Sequence, residues 1–457
     1  MTARRRPRFT TLLAAAVVGV YLLVVVGATA SLADAAQSCG TWPDCSGPLT
    51  PALAVALGHR LVAAVVGALV LVTAILAVRE GSRRVATAAV AALVLYPVQV
   101  VVGAVVATTG APADLSSLHL LLGMGIFSAL VLALAWHLEA ETGGDDPDRT
   151  PAAAEPEPTL APTPPAGPVP RAKATLWAYF QLMKPRLMWL LALVASAGMS
   201  LAAGPDLSVG TVVATLGGGV LAIGASGTFN HVLERDVDQR MARTRDRPLA
   251  THQVPVRNAL VFGLLLTALS LVAFLQVNLL AAALGLSAIV FYSVVYTLVL
   301  KPNTVQNTVL GGAAGALPAL IGWVAVTGKI GLPGLALAGV IFLWTPAHFY
   351  NLALAYKDDY AAGGFPMLPV VRGETVTRKH ILLYLGATLL GAAGLTAITD
   401  LGWLFAATTV GLGGVFLWTV VRLHHERTAD AAFRAFHASN AYLGLLLIAV
   451  VVDALAI

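Results

Sequence analysis

Thirteen stretches of this chain run for 18 or more residues almost without a charged side chain. They fall at 11–33, 52–78, 86–108, 115–138, 186–203, 209–231, 257–276, 279–300, 306–327, 332–356, 379–399, 402–422 and 436–456. A helix rises about 1.5 Å per residue, so each stretch is long enough to cross the roughly 30 Å hydrocarbon layer of a bilayer. In that layer only helices and closed barrels satisfy their own backbone polar groups, and apolar runs of this length select helices. The chain is expected to be an all-α polytopic membrane protein with thirteen transmembrane helices.

Of 457 residues, 58% are hydrophobic and 11% charged, with a mean hydropathy of +0.82, which excludes an ordinary soluble domain. The net charge of +5 reads as membrane topology, and no nucleic-acid partner is expected. Lys and Arg gather at 4–6, 79–84, 171–186, 235–257, 301, 357, 372–379 and 422–434. The alternate connections at 34–50, 109–114, 204–208, 277–278, 328–331 and 400–401 carry almost none, Lys329 being the exception. This asymmetry puts the N-terminus and the basic connections on the cytoplasmic side of a cell (plasma) membrane, with the Cys39–Cys45 loop external. The first apolar run is too long for a signal peptide and continues the multi-span pattern.

Hydrophobicity stops between the fourth and fifth stretches. Residues 139–173 include GGDDPDRTPAAAEPEPTLAPTPPAGPVP, a Pro/Ala/acid composition that cannot bury a core. The expected organisation is a four-helix bundle over 1–138, a cytoplasmic linker over 139–173 and a nine-helix bundle over 174–457.

The densest chemistry lies at 230–249, NHVLERDVDQRMARTRDRPL. Asn230, Glu234 and Asp238 are spaced i, i+4, i+8 and share one helix face, while Asp236 points the other way. Two carboxylates and an amide at a helix mouth, followed by arginines, suit a Mg²⁺-bridged diphosphate. A solvated helix end is the plainer alternative. A second acidic cluster, Asp358–Asp359, ends the apolar run WTPAHFYNLALAY on the same side. Together the two clusters could hold a metal against a leaving diphosphate while Arg243, Arg245 and Arg247 clamp its remaining oxygens.

These residues resemble a known family. The run from Asn230 to Leu249 is similar to the first aspartate-rich motif of the UbiA-type intramembrane prenyltransferases. It has the form with Glu at the middle acidic position that marks the protoheme IX farnesyltransferase (heme O synthase) branch. The segments LMKPRLMWL (182–190), LKPNTVQNTVLGGAAGALPALIGW (300–323) and WTPAHFYNLALAYKDDYAAGGFPMLPV (344–370) resemble the same branch, over nearly all of 174–457. The resemblance implies a nine-helix UbiA-type bundle, Mg²⁺, and transfer of a farnesyl group from farnesyl diphosphate to a vinyl group of protoheme IX (heme B), giving heme O. It places Asn230, Glu234, Asp238, Asp358 and Asp359 in catalysis, with Glu234, Asp238 and Asp359 toward the metal. Arg243, Arg245, Arg247 and Lys301 match its basic positions. Lys184 and Arg186, flanking a proline at a helix start, suit diphosphate binding or an interfacial anchor. His348 and His231 suit a porphyrin contact or simple hydrogen bonding.

The first four stretches carry two histidines inside spans, His59 and His119, each a few residues into a helix that starts from the outer side. His137 sits at the inner end of the fourth. A depth-matched pair in an otherwise apolar four-helix bundle suits bis-imidazole ligation of a heme iron, against the plainer alternative of satisfied core histidines. CGTWPDC (39–45), HR at 59–60 and HLLLG (119–123) resemble one half of the heme A synthase family, in which such outer cysteines are paired. Two departures accompany that resemblance: only one half is present, and the glutamate expected one turn before the first histidine is Ala56. A homo-oligomer or heme-handling partner proteins would complete such a half. The pair Cys39 and Cys45 could be a disulfide, a redox relay or free thiols. Arg60 suits a propionate partner or an interfacial anchor.

Overall fold

The computed structural model describes residues 6–32, 41–43, 50–143 and 167–456, and Cys39, Cys45 and most of the 139–173 linker lie outside them. Along the chain the helices are α1 (Arg6–Leu32), α2 (Pro51–Glu80), α3 (Arg83–Thr108), α4 (Ala113–Thr142), α5 (Pro168–Leu182), α6 (Pro185–Ala203), α7 (Val209–Leu233) and the short α8 (Arg235–Asp238). Then come α9 (Val256–Leu275), α10 (Leu279–Val290) with its π-helical continuation Phe291–Leu300, α11 (Lys301–Asn303), α12 (Asn307–Thr327), α13 (Leu332–Ala355), α14 (Lys357–Ala362) and α15 (Leu368–Val371). The last three are α16 (Glu374–Ile398), α17 (Trp403–Glu426) and α18 (Ala429–Ala456). Among the described residues there is no strand, and 13 helices are long and apolar enough to cross a membrane, as the apolar runs require.

Local sequence sets where the helices begin and end. Thr50 caps α2 by accepting from the Leu53 N–H at 3.2 Å, ahead of Pro51 in the first turn. Ser208 does the same for α7 through Thr211 at 3.1 Å, and Asn278 for α10 through Ala281 at 2.8 Å. Each satisfies an orphan amide of the first turn. Gly328, at φ 67°, closes α12, a conformation that costs glycine little.

The chain packs as two compact units. The first comprises residues 1–146 and 378–442, so the four N-terminal helices share a core with most of α16, α17 and the first half of α18. Inside it the Tyr21 hydroxyl donates to the Leu389 carbonyl at 3.0 Å and lies 2.9 Å from the Thr409 hydroxyl, which in turn meets Tyr442 at 3.2 Å. At one end Lys379 pairs with Glu139 at 2.5 Å, and Thr10 bonds both His137 (3.0 Å) and Glu141 (3.2 Å).

The second unit comprises residues 147–377 and 443–457. Its tightest crossing is that of α6 with α12. A Cβ on Gly198 would lie 2.2 Å from the Ala319 carbonyl oxygen, and one on Gly322 would lie 2.1 Å from that of Ala195. The two glycines thus bring the backbones themselves into contact, the small-residue packing that holds helices together in lipid. Gly322→Ala is expected to cost about 2–3 kcal/mol by overpacking and to lower the thermal midpoint in detergent. Gly217→Ala, where a Cβ would meet nothing within 4 Å, is the matched control and should leave the midpoint unchanged or slightly raised.

Candidate functional site

The charged cluster of the second unit forms where α7 ends. Helical hydrogen bonding carries on through Glu234, whose N–H donates to the Asn230 carbonyl at 2.9 Å while its own carbonyl accepts from Asp238 at 2.7 Å. The backbone at Glu234 nevertheless leaves the helical region (φ −100°, ψ 3°), so α7 and α8 meet at a bend. Asn230, Glu234 and Asp238 are all buried, at 2%, 5% and 3% exposure. Asp236 is outside, its side chain 76% exposed and paired with Arg235.

Each buried acceptor has a cation of its own. Lys301 reaches Glu234 at 2.5 Å from the end of the π-helical segment and also lies over the Phe365 ring at 4.2 Å. One guanidinium nitrogen of Arg247 donates to both Asp238 oxygens, at 2.8 and 2.9 Å. The Lys184 ammonium donates to the Asn230 side-chain oxygen and, at 3.1 Å, to the Tyr292 hydroxyl. Asn230 spends its amide N–H on Thr297 at 3.1 Å.

Two backbone features set this geometry. Lys184 is left-handed at φ 55°, between the end of α5 and Pro185. A Cβ on Gly227 would stand 2.8 Å from the Leu182 carbonyl oxygen, so only glycine lets α7 come this near the 182–184 turn. The π-helical turns of 291–300 swing Tyr292 and Thr297 toward Lys184 and Asn230, and Thr297 still donates to the Tyr292 carbonyl five residues back at 2.8 Å. Such π segments often occur at functional sites.

Asp359 is tied to the arginine-rich stretch by a route that spacing did not reveal. Its two oxygens accept the backbone N–H groups of Ala242 and Arg243, each at 3.0 Å. Met241 is buried with Ala353, Tyr360, Phe365 and Met367 just beneath. Arg243 lies over the rings of Tyr356 (5.4 Å) and Tyr360 (5.6 Å). Asp358 is exposed. Arg245 is half-buried, its backbone N–H donating to the Met241 carbonyl at 3.0 Å, and Arg186 is exposed. His348 stacks on Trp344 at 4.2 Å, and His231 is buried with its Nδ1 unpaired. The aromatic residues Tyr292, Tyr356, Tyr360 and Phe365 are the part of the site that sequence reading passed over. In YKDDY the signal was present, since two tyrosines bracket the acidic pair.

Electrostatics divide the two buried carboxylates. Burial pushes Glu234 up, but Lys301 and Lys184 outweigh it and hold the group below its ordinary range. For Asp238 burial prevails over Arg247, and its pKa is raised. Lys184 is half-buried as a residue with its ammonium end enclosed. Burial, then Arg247, brings its pKa down to about 7, against the opposing pull of Glu234 and Asp238.

A divalent ion fits this set. Glu234 and Asp238 lie one turn apart with only one Glu234 oxygen committed to Lys301, and Mg²⁺ characteristically takes one or two carboxylates and completes its shell with phosphate oxygens and water. Among the described residues no three acidic, histidine or cysteine side chains form a ready metal cage.

The first unit contains a cavity of about 560 Å³ lined by both His59 and His119, with Ala56, Arg60, Tyr96 and Gln99 also in its wall. The Nδ1 atoms of the two imidazoles are buried without hydrogen-bond partners, and the Gln99 amide stands 3.2 Å from His119 Nε2. Both rings rest on glycines: a Cβ on Gly27 would be 3.3 Å from His59 Cε1, and one on Gly103 2.7 Å from His119 Cε1. Arg60 donates to the carbonyls of Pro43 (2.9 Å) and Thr41 (3.3 Å) at the rim. An apolar pocket of this size with unsatisfied imidazoles fits a large planar cofactor.

Fold and site together define a class: a polytopic helical membrane protein that encloses paired carboxylates and excess cations at the mouth of one of its spans. The chain belongs to the UbiA prenyltransferase family, whose model matches residues 190–446. It is 67% identical to a protein named protoheme IX farnesyltransferase 1 from Natronomonas pharaonis, over 99% of this chain and 100% of that one. It is 45% identical to the protein of the same name from Saccharopolyspora erythraea, over 63% of this chain and 94% of that one. A solved structure described as a digeranylgeranylglyceryl phosphate synthase shares the fold, with a TM-score of 0.53 at 15% identity, covering 62% of this chain and 100% of that one.

Proposed function

We propose that this chain transfers a farnesyl group from farnesyl diphosphate to a vinyl group of protoheme IX, giving heme O for terminal oxidases. The observation that carries the reading is the cluster at the end of α7. Lys184, Lys301, Arg243 and Arg247 gather around Asn230, Glu234, Asp238 and Asp359, an excess of positive charge that suits a bound diphosphate. A relative that matches 99% of this chain bears the name of that activity, as does one that matches 63% of it. In the reaction the allylic C1–O bond breaks and its electron pair leaves with the diphosphate. The vinyl carbon then attacks C1, and water quenches the resulting cation and releases a proton. Bound through Glu234 and Asp238, Mg²⁺ would neutralise charge on the leaving diphosphate. Lys184, Arg243, Arg245 and Arg247 hold its oxygens, and Lys301 keeps Glu234 ionised and aimed. Asp359 shapes the arginine-rich stretch through the Ala242 and Arg243 amides. The aromatic rings beside the cations offer π-faces and exclude water from the allylic cation. The test is purified protein with Mg²⁺, farnesyl diphosphate and either heme B or 4-hydroxybenzoate. Farnesylated heme supports the reading; prenylated 4-hydroxybenzoate alone would assign the fold to a quinone precursor instead.

Lys184 gives this reading a pH signature. Burial and Arg247 bring its pKa down to about 7, and an arriving diphosphate favours the ammonium. Above pH 7 binding therefore takes up a proton. The Kd for farnesyl diphosphate is expected to rise with pH there, by up to about tenfold per unit. Lys184→Met should weaken binding below pH 7 and flatten the profile, as read by titration at fixed Mg²⁺.

In the same reading residues 1–138 are a heme A synthase-like segment joined by the linker 139–173 to the transferase, residues 174–457. The cavity would hold a heme whose iron takes His59 and His119. The basic connections lie in the cytoplasm and the Cys39–Cys45 loop outside the cell membrane, by the distribution of Lys and Arg. Ala56 in the cavity wall cannot relay a proton, which favours holding a heme over oxidising one. Hemes extracted from a host lacking its own heme A synthase decide this: heme O without heme A is expected, and heme A would overturn it.

A further inference from the structure

We propose that α5 is a membrane-surface helix, seated in the headgroup layer with an outward apolar face turned to the acyl chains. At 15 residues it is about 22 Å long, too short to span. One of its faces is already used. Ala178 and Leu182 are buried against Leu249, Val254 and Ala259, and Tyr179 meets Phe262 edge-on at 5.0 Å. The opposite face carries Val169, Leu176, Trp177 and Phe180, which are 76%, 71%, 58% and 43% exposed. At 100° per residue these four fall within about 100° of arc. A helix apolar on both sides, with one side packed among the described residues, needs a second apolar partner.

Position and charge say what that partner is. Two residues separate α5 from α6, a transmembrane span whose first turns expose Leu187 (47%) and Trp189 (58%). The outward strip of α5 is thus continued by the lipid-facing side of a span. The helix has two cations, Arg171 and Lys173, both exposed, and no acid. That pattern suits anionic headgroups and disfavours pairing with a second copy of this cationic, acid-free helix. Lys173 lies within the apolar arc, where its long stem lets the ammonium reach the headgroups. The seat matters for the site next to it, because the end of α5 abuts α7 at Gly227 and leads directly into Lys184. An amphiphile travelling in that leaflet would meet Lys184 at headgroup depth.

The full chain, with Cys39→Ser, Cys45→Ser and a nitroxide on Leu176→Cys, is to be reconstituted into phosphatidylcholine vesicles with and without phosphatidylglycerol. Oxygen accessibility exceeding that of a nickel chelate is expected, with the label moving outward in Arg171→Gln/Lys173→Gln. Nickel access exceeding oxygen would mean solvent, and low access to both would mean a protein neighbour; either overturns the proposal. Brominated lipid provides a measurement that leaves the cysteines intact. It should quench wild-type fluorescence more than that of Trp177→Phe, and equal quenching would also overturn the proposal.

Discussion

Glu234→Gln is expected to lower kcat for farnesyl transfer by about 10²–10³-fold, the scale seen when one preorganised electrostatic group is removed from a reacting centre. The substitution preserves shape while deleting the charge that faces Lys301 at 2.5 Å. Glu234 is also a carboxylate to which a bridging metal has access, so both the neutralisation of the diphosphate and the aim of Lys301 are lost together. A purely structural effect has to be separated from this, because Lys301 is left enclosed without a counterion, and breaking a buried pair typically costs about 3–5 kcal/mol. Glu234→Gln/Lys301→Met makes that separation. With both charges gone the thermal midpoint should recover toward wild type while turnover stays low. Recovery of turnover with stability would show Glu234 to be a structural partner of Lys301 and nothing more. Asp236→Asn is the neighbouring control: its side chain is 76% exposed, and turnover should stay within about twofold, as for surface changes generally.

The spans were legible because a bilayer imposes a length and an apolarity that few other environments impose, and the cluster from Asn230 to Asp238 was legible because charge at a helix mouth stands out against them, though the bend at Glu234 between α7 and α8 was not. Less could be read where packing decides. That residues 378–442 share a core with the first four helices follows from Tyr21 meeting Leu389 and Thr409, contacts between residues hundreds of positions apart. Linear order does not encode them. Tyr292 and Tyr296, spaced i, i+4, look like an ordinary apolar stripe, and only the π-helical turns bring Tyr292 to Lys184. Asp359 was expected for its carboxylate, but its use by two backbone amides depends on a turn at 241–243 that no motif specifies. Arg186, which looked equivalent to Lys184 across Pro185, is exposed because the left-handed turn at Lys184 directs only one of the two toward Asn230.

Replacing either cavity histidine is expected to abolish a bis-imidazole heme signal. His59 and His119 both have a buried Nδ1 without a partner, and an unsatisfied polar atom in an apolar wall costs free energy unless something binds there. Iron ligation by two imidazoles makes the heme low-spin, and losing one makes it five-coordinate or water-ligated, an all-or-none spectral change. His59→Leu and His119→Leu should each remove the low-spin bands from the purified, heme-loaded chain. Persistence of those bands in both variants would place the ligands elsewhere. Gln99 sharpens the test. Its amide now occupies His119 Nε2 at 3.2 Å, so ligation through that nitrogen displaces a hydrogen bond that Gln99→Leu never makes, and this variant should keep the low-spin signal. Gly103→Val should lose it, because even a bare Cβ there would stand 2.7 Å from His119 Cε1 and the ring cannot keep its place. Heme bound as transferase substrate has no need of these residues, so farnesyl transfer in His59→Leu and His119→Leu should continue. If transfer fails together with the spectrum, the cavity feeds the transferase with its heme.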